Sequence, residues 1–162
     1  MITGALLGIS ILLSGAIFGF FYAWVCSTMW GLDQADPRVA IAAMQAMNAS
    51  VRNAVFFPAF FLTPVALAAS ALILAIQRRA RSAIWFATAC AVYLALGLLL
   101  TAAVNVPMNE ALAMTNIPDD IEAARQIWND YSARWQFWNQ VRTVASGAAL
   151  LCATMGIIQL NR

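Results

Sequence analysis

The sequence predicts an all-α fold: a transmembrane four-helix bundle with an extracytoplasmic interfacial helix before span two and a helical aromatic-rich segment before span four. Three observations carry that prediction. Apolar stretches recur four times, at about residues 4–26, 54–76, 83–104 and 143–160, each close to the roughly 20 residues that cross a bilayer core. Only 10% of the 162 residues are charged and mean hydropathy is +0.77, whereas a soluble domain carries about 25% charged residues. A tight loop, Q-R-R-A-R-S at 77–82, concentrates arginine between the second and third stretches. Residues 1–162 form a single integral membrane domain, with no repeat and no low-complexity tract.

Span one begins close to the N-terminus. M-I-T-G-A-L-L-G lacks the positive region of a cleavable signal peptide, and no charge appears before Asp33, so the stretch is expected to be retained. Gly4, Gly8, Gly15 and Gly19 form two G-x-x-x-G units on one face. Such faces let helices approach closely in lipid, either within the bundle or across a homo-oligomer contact. Trp24 and Trp30 mark its far end, as interfacial aromatics do.

Asp36 and Pro37 read as N-cap and first position of the next helix. From Arg38 to Arg52 it is amphipathic. Arg38, Gln45, Asn48 and Arg52 gather within roughly 80°, and Ala40, Met44, Met47 and Val51 take the opposite side. The helix is expected to lie at the interface and dip into span two, which Pro58 and Pro64 would kink or break. The arginines of the Arg78–Arg81 loop make that loop cytoplasmic by the positive-inside rule, and both termini with it; Arg162 agrees. The expected location is the cell membrane.

Span three ends in N-V-P-M-N-E. Asn116, Pro118, Asp119 and Asp120 then read as the start of a helix, with Pro in its first turn and negative charge at its positive dipole end. That helix carries W-N-D-Y-S-A-R-W-Q-F-W-N-Q-V-R, from Trp128 to Arg142, and continues into span four. At about 100° per residue, Trp128, Tyr131, Trp135, Trp138 and Arg142 share one face roughly 80° wide, flanked by Asn139.

The composition excludes much chemistry. There is no histidine, so the commonest general base, transition-metal ligand and haem ligand are missing, as are the Glu-x-x-His motifs of a di-iron bundle. Cys26, Cys90 and Cys152 stand singly in apolar segments, as small hydrophobes do. A metal site and a cofactor are not expected. Net charge +2, with no long basic run, argues against a nucleic-acid partner.

Depth gathers the candidates for a site. Arg52 and Asn53 begin span two, Asn105 and Asn109 end span three, and Asn139 and Arg142 begin span four, all at one outer mouth. Arginine at the edge of hydrocarbon is costly unless it is paired or faces a wet cavity. Asn48, Asn53, Asn105, Asn109, Trp128, Tyr131, Trp135, Trp138 and Asn139 are therefore candidate binding residues of an outward-facing pocket roofed by the aromatic ridge. Arg52 and Arg142 would stabilise an oxyanion or enolate, with Glu110 as the general base. The plainer alternative is belt aromatics, snorkelling arginines, interhelical asparagines and a Glu110 that is solvated or paired with Arg52 or Arg142.

Four motifs in order, G-F-F-Y-A-W-V-C-S-T-M-W-G-L-D, A-M-Q-A-M-N-A-S-V-R-N, N-V-P-M-N and W-N-x-Y-S-x-R-W-x-x-W-N-x-V-R-T, make the chain resemble the anthrone oxygenase-like family of small four-span membrane proteins. The resemblance implies cofactor-independent oxygenation of a polyketide anthrone to an anthraquinone. Its matching polar and aromatic positions are Asn48, Arg52, Asn53, Asn105, Asn109, Trp135, Trp138, Asn139 and Arg142. The partner would be a small apolar or aromatic molecule or a lipid in the membrane. The competing reading is a non-catalytic protein that binds a lipid or quinone, or an accessory subunit of a membrane complex. Ion or proton transport lacks mid-bilayer charge to run on.

Overall fold

The computed structural model describes residues 2–161, and within them the chain is helical with no strand. Met1 and Arg162, the latter invoked for the position of the C-terminus, lie outside the described residues. Five helices are present: α1 (Ile2–Gln34), α2 (Pro37–Ser50), α3 (Phe56–Ile76), α4 (Ala80–Ala113) and α5 (Ile121–Ile158). Four of them, all but α2, are long and apolar enough to cross a membrane. The fold is the expected four-helix bundle.

Length sets the shape. The 21 residues of α3 reach about 31 Å, one hydrocarbon thickness. The 33, 34 and 38 residues of α1, α4 and α5 reach about 50 Å or more. One end of the bundle is nearly flush. There Gln77 Nε2 donates to Thr3 Oγ1 at 2.8 Å, joining the start of α1 to the end of α3. The surplus length therefore projects at the other end, where it meets α2.

A bilayer-length core and a smaller cap result. The core joins Ile17 and Phe21 of α1, Phe60, Leu67 and Leu74 of α3, Phe86 and Tyr93 of α4, and Ala149 and Ala153 of α5. The cap packs Met29, Ile41 and Met44 against Leu112, Trp128, Tyr131 and Trp135. As expected, α5 runs unbroken from the ridge into the last span. Its start is one step later than the sequence suggested. Asp120 is the N-cap, accepting from the Ala123 N–H at 2.7 Å, and Pro118 lies before the helix.

The cap is held by the polar stripe of α2. Asp36 caps the helix, accepting from the Arg38 backbone N–H at 2.9 Å, with Pro37 at the first position. Arg38 donates to the Asp119 carbonyl at 3.1 Å, and Gln45 Nε2 to the carbonyls of Leu112 and Thr115 at 2.8 and 3.0 Å. Those two carbonyls lie at and just past the end of α4, where regular i→i+4 donors run out; that of Leu112 also accepts the Thr115 N–H at 3.0 Å. The stripe thus faces α4 and α5, and Val39 and Ala42 are the exposed side.

Two further expectations, on Pro58 and on the α1 glycines, are corrected, and that on Pro64 is met by a neighbouring helix. Pro58 does not break α3, because it falls in the first turn, where a missing N–H leaves no bond unmade. Pro64 is inside the helix, and the carbonyl it strands, that of Phe60, accepts the Tyr93 hydroxyl at 2.9 Å instead. The glycines of α1 do not pack within the bundle: a Cβ at Gly4, Gly8, Gly15 or Gly19 would meet nothing within 4 Å. Close approach falls to Gly156, where a Cβ would stand 2.7 Å from the Phe86 ring and 3.3 Å from the Ser82 carbonyl. At the flush end Arg78 adopts φ 58°, and Arg79 N–H donates to the Leu74 carbonyl at 2.9 Å, the Schellman closure of the α3–α4 turn.

Candidate functional site

Where bundle and cap meet, the helices enclose a cavity of about 320 Å³, within the usual range for ligand sites. Every helix contributes to it. From α1 come Phe20, Phe21 and Trp24; from α2, Met47, Asn48 and, just beyond, Val51 and Arg52; from α3, Phe56, Phe57, Phe60 and Phe61. Thr101, Val106, Asn109 and Glu110 of α4 and Trp135 and Arg142 of α5 complete it. The walls are mostly aromatic.

Backbone irregularity builds this level. Turns of π-helix occur at Trp24–Thr28 in α1 and at Tyr93–Leu99 and Thr101–Asn105 in α4. Their i→i+5 bonds hold more residues per turn, so α4 keeps Tyr93, Gly97 and Asn105 buried along one line where a regular helix would rotate them away. Gly97 is needed because the Tyr93 ring lies where its Cβ would be, at 2.8 Å.

Arg142 is the one buried charge on the cavity wall. It is 5% exposed and has no carboxylate partner among the described residues. Nη1 donates to Thr101 Oγ1 at 3.2 Å and Nη2 to Asn139 Oδ1 at 2.9 Å. Its guanidinium carbon stands 4.6 Å from the Phe21 ring centre and 5.3 Å from that of Trp135, distances at which ring faces attract a cation. Nε has no partner. A buried cation held by neutral groups and rings alone keeps most of its charge uncompensated, so it is set to attract an anion.

The other predicted residues separate into two groups. Arg52, Glu110, Asn48, Asn109, Trp135 and Arg142 line the cavity. Arg52 and Glu110 stand at its mouth, 53% and 60% exposed, with Arg52 Nη2 3.6 Å from Glu110 Oε1. Asn109 Oδ1 accepts both the Trp135 indole N–H and the Tyr131 hydroxyl, each at 2.9 Å, and Asn48 Nδ2 donates to the same hydroxyl at 3.3 Å. Asn109 therefore has only its amide nitrogen to offer a ligand.

The remaining six do not line it. Asn53 closes the turn that leads into α3, its Oδ1 accepting from the N–H groups of Val55 and Phe56 at 2.8 and 2.9 Å. Asn139 is a support: it holds Arg142 and donates to the Phe21 carbonyl at 3.1 Å. Tyr131 positions Asn109 and Asn48 from behind. Trp128 belongs to the cap core and donates to Asp33 Oδ1 at 2.9 Å. Trp138 stands at the edge of the ridge against Phe137, ring centres 5.1 Å apart. Asn105 is fully buried, with both amide atoms unpartnered.

A family model described as anthrone oxygenase matches residues 47–152, the greater part of the chain. The chain belongs to the anthrone oxygenase family. No curated protein and no solved structure matches it. In this anthrone oxygenase family member the matched stretch contains Asn48, Arg52, Asn109, Glu110, Trp135 and Arg142. The α1 wall, Phe20, Phe21 and Trp24, precedes it.

Two sets of residues escaped the sequence reading. The four phenylalanines of α3 look, in sequence, like any lipid-facing aromatics. Asp33 is the first charge after span one, and its oxygens take the Trp128 N–H, the Ser132 hydroxyl at 2.7 Å and Gln136 Nε2 at 2.8 Å. The signal was available: those three donors recur every fourth residue on α5, one helical line.

Proposed function

We propose that the cavity binds a planar aromatic ketone with an acidic CH₂, of the anthrone kind, and promotes its oxygenation without a cofactor. One observation carries the reading: Arg142, buried among aromatic rings with no carboxylate partner and an unpartnered Nε, suits an enolate oxygen attached to a flat apolar body.

In the proposed reaction a proton leaves the CH₂ group to Glu110, the one carboxylate on the cavity wall, which Arg52 holds in place. Arg142 stabilises the resulting enolate oxygen. The enolate passes one electron to O₂, the radical pair couples at carbon, and the peroxide takes up a proton. Loss of water from that hydroperoxide gives the new carbonyl. Substrate and O₂ thus become quinone and water, with no external reductant. Asn109 and Trp135 orient the rings.

The same reading places the protein in the cell membrane with the Arg78–Arg81 loop and both termini in the cytoplasm, and the cavity on the outer side. The test is oxygen uptake by purified protein in nanodiscs given an anthrone. Uptake should exceed spontaneous oxidation and fall by about 10²-fold or more in Arg142→Met. Uptake at the spontaneous rate, or an unaffected Arg142→Met, refutes the proposal.

A second reading, non-catalytic binding of a lipid or quinone, is favoured by the exposure of Glu110 and its contact with Arg52. Native mass spectrometry from mild detergent separates the two. A retained apolar ligand without turnover supports binding alone.

A further inference from the structure

We infer that the cavity opens sideways into the bilayer, through a slot between α3 and α4, and that its ligand arrives dissolved in lipid. The inference rests on the reading of the cavity as a site for an apolar ligand, and adds the route.

The slot follows from how the two helices diverge. α3 packs along Ala80–Val92 of α4 but only lightly against the Tyr93–Leu99 turn, and the helices part beyond it. The bond from the Tyr93 hydroxyl to the Phe60 carbonyl marks the floor of the gap. Arg52 and Glu110 mark the roof. Between them stand Phe57 and Phe61, one turn apart on α3 with ring centres 5.5 Å apart. They are 40% and 48% exposed, and both also line the cavity. On the α1 flank the wall is shut, because the rings of Phe20 and Phe56 meet at 4.8 Å.

The chemistry of this mouth is graded along the membrane normal. Phe57 and Phe61 lie within the first two turns of a helix just long enough to span hydrocarbon, so their exposed faces meet lipid chains. Arg52 and Glu110 lie just beyond the start of that helix, at the headgroup level, where charge is stable. A flat ring system with one polar edge satisfies both at once. It slides over the two phenylalanines with its polar edge at the ion pair. A water-borne anion would instead have to cross an apolar threshold.

Access can be read without turnover. In a chain with Cys26, Cys90 and Cys152 replaced by alanine, Val106→Cys places one thiol on the cavity wall, and Val55→Cys, at an 86% exposed position, provides a surface reference. Each is labelled in nanodiscs with pyrenylmaleimide dissolved in the lipid or with a sulfonated methanethiosulfonate in the water. Relative to the reference, the wall thiol should favour the lipid-borne reagent by about fiftyfold or more, given the cost of taking charge into hydrocarbon. Phe57→Trp with Phe61→Trp should slow the lipid-borne reagent and leave the charged one unchanged; Phe61→Ala, which narrows nothing, should speed it. Equal labelling by both reagents, or indifference to Phe61→Ala, overturns the slot. Oxygen uptake is not the readout, so absence of oxygenase activity would leave this result standing, and a failed slot would leave the oxygenase test untouched.

Discussion

Asn139 and Arg142 act as one unit. Asn139 Oδ1 accepts from Arg142 Nη2 at 2.9 Å, while its Nδ2 donates to the Phe21 carbonyl at 3.1 Å, so one amide ties the buried cation of α5 to the backbone of α1. Neutral support leaves the positive charge available. Asn139→Leu should cost about 1–3 kcal/mol, the usual penalty for stranding buried polar groups, and reduce oxygenation with it. Asn139→Asp is more telling. It supplies the carboxylate that Arg142 lacks, at the cost of the donor to the Phe21 carbonyl, so oxygen uptake should collapse even where the fold is no less stable than that of Asn139→Leu. Thermal unfolding and oxygen uptake on the same samples check both. An Asn139→Asp chain with full activity would show that the charge of Arg142 is not what the site uses.

Tyr93 repairs a bond that Pro64 breaks. The proline has no N–H for the Phe60 carbonyl, and the Tyr93 hydroxyl reaches that carbonyl at 2.9 Å from the next helix. Tyr93→Phe should therefore destabilise the bundle by about 1–3 kcal/mol. In Pro64→Ala the restored N–H satisfies Phe60 within α3, so Tyr93→Phe should cost markedly less in that background. A double-mutant cycle by unfolding measures the difference, and additive losses would deny the repair.

The sequence made the bundle legible because lipid removes the need for surface charge: long uncharged stretches and a loop of arginines leave few arrangements open. The ridge was legible for a different reason, since helical period alone put Trp128, Tyr131, Trp135 and Arg142 on one face, and all four are buried in the structure. The period did not distinguish lining from support. Asn139 and Tyr131 sit on the same face as Arg142 and Trp135 but behind the wall. The phenylalanine wall of α3 was hidden by composition, because an aromatic facing a cavity and one facing lipid are the same residue in an apolar span. The π turns were hidden because nothing local marks them; the two in α4 arise where that helix must keep one face buried past Tyr93. The α1 glycines misled for a related reason: small residues permit close packing and do not compel it.

Asp36 offers a pH test outside the spans. Its carboxylate accepts the Arg38 backbone N–H and meets the Arg38 guanidinium at 2.6 Å, and Arg38 holds its pKa down, from 3.8 to about 2. A carboxyl with a depressed folded pKa contributes stability that is complete above its unfolded value and is lost as pH falls through the folded one. The start of α2 should therefore loosen between about pH 4 and pH 2. Asp36→Asn, which retains a side-chain oxygen to cap the helix but no charge, should show no such step. Proteolysis or hydrogen exchange at residues 35–40 across that range decides it; the same profile in both chains would assign the loosening to another group.

Asp33 couples the cap to the ridge, and its loss should be felt at the cavity. One carboxylate takes the N–H of Trp128, the hydroxyl of Ser132 and the amide of Gln136, three donors on successive turns of α5. Trp128 and Ser132 are each 4% exposed, so Asp33→Ala leaves two buried donors without their acceptor. The expected cost is about 1–3 kcal/mol. Asp33→Asn keeps an oxygen for Trp128 and Ser132 and loses only the bond from Gln136, so its cost should be well under half of that. The end of α1 also carries Trp24, whose ring packs 5.1 Å from that of Trp135 in the cavity wall. Release of this end by Asp33→Ala should disturb that contact and shift tryptophan emission to longer wavelength, while Asp33→Asn leaves it in place. Equal stability losses for the two variants would mean that the negative charge, and not the hydrogen bonds to buried donors, holds the cap against α5.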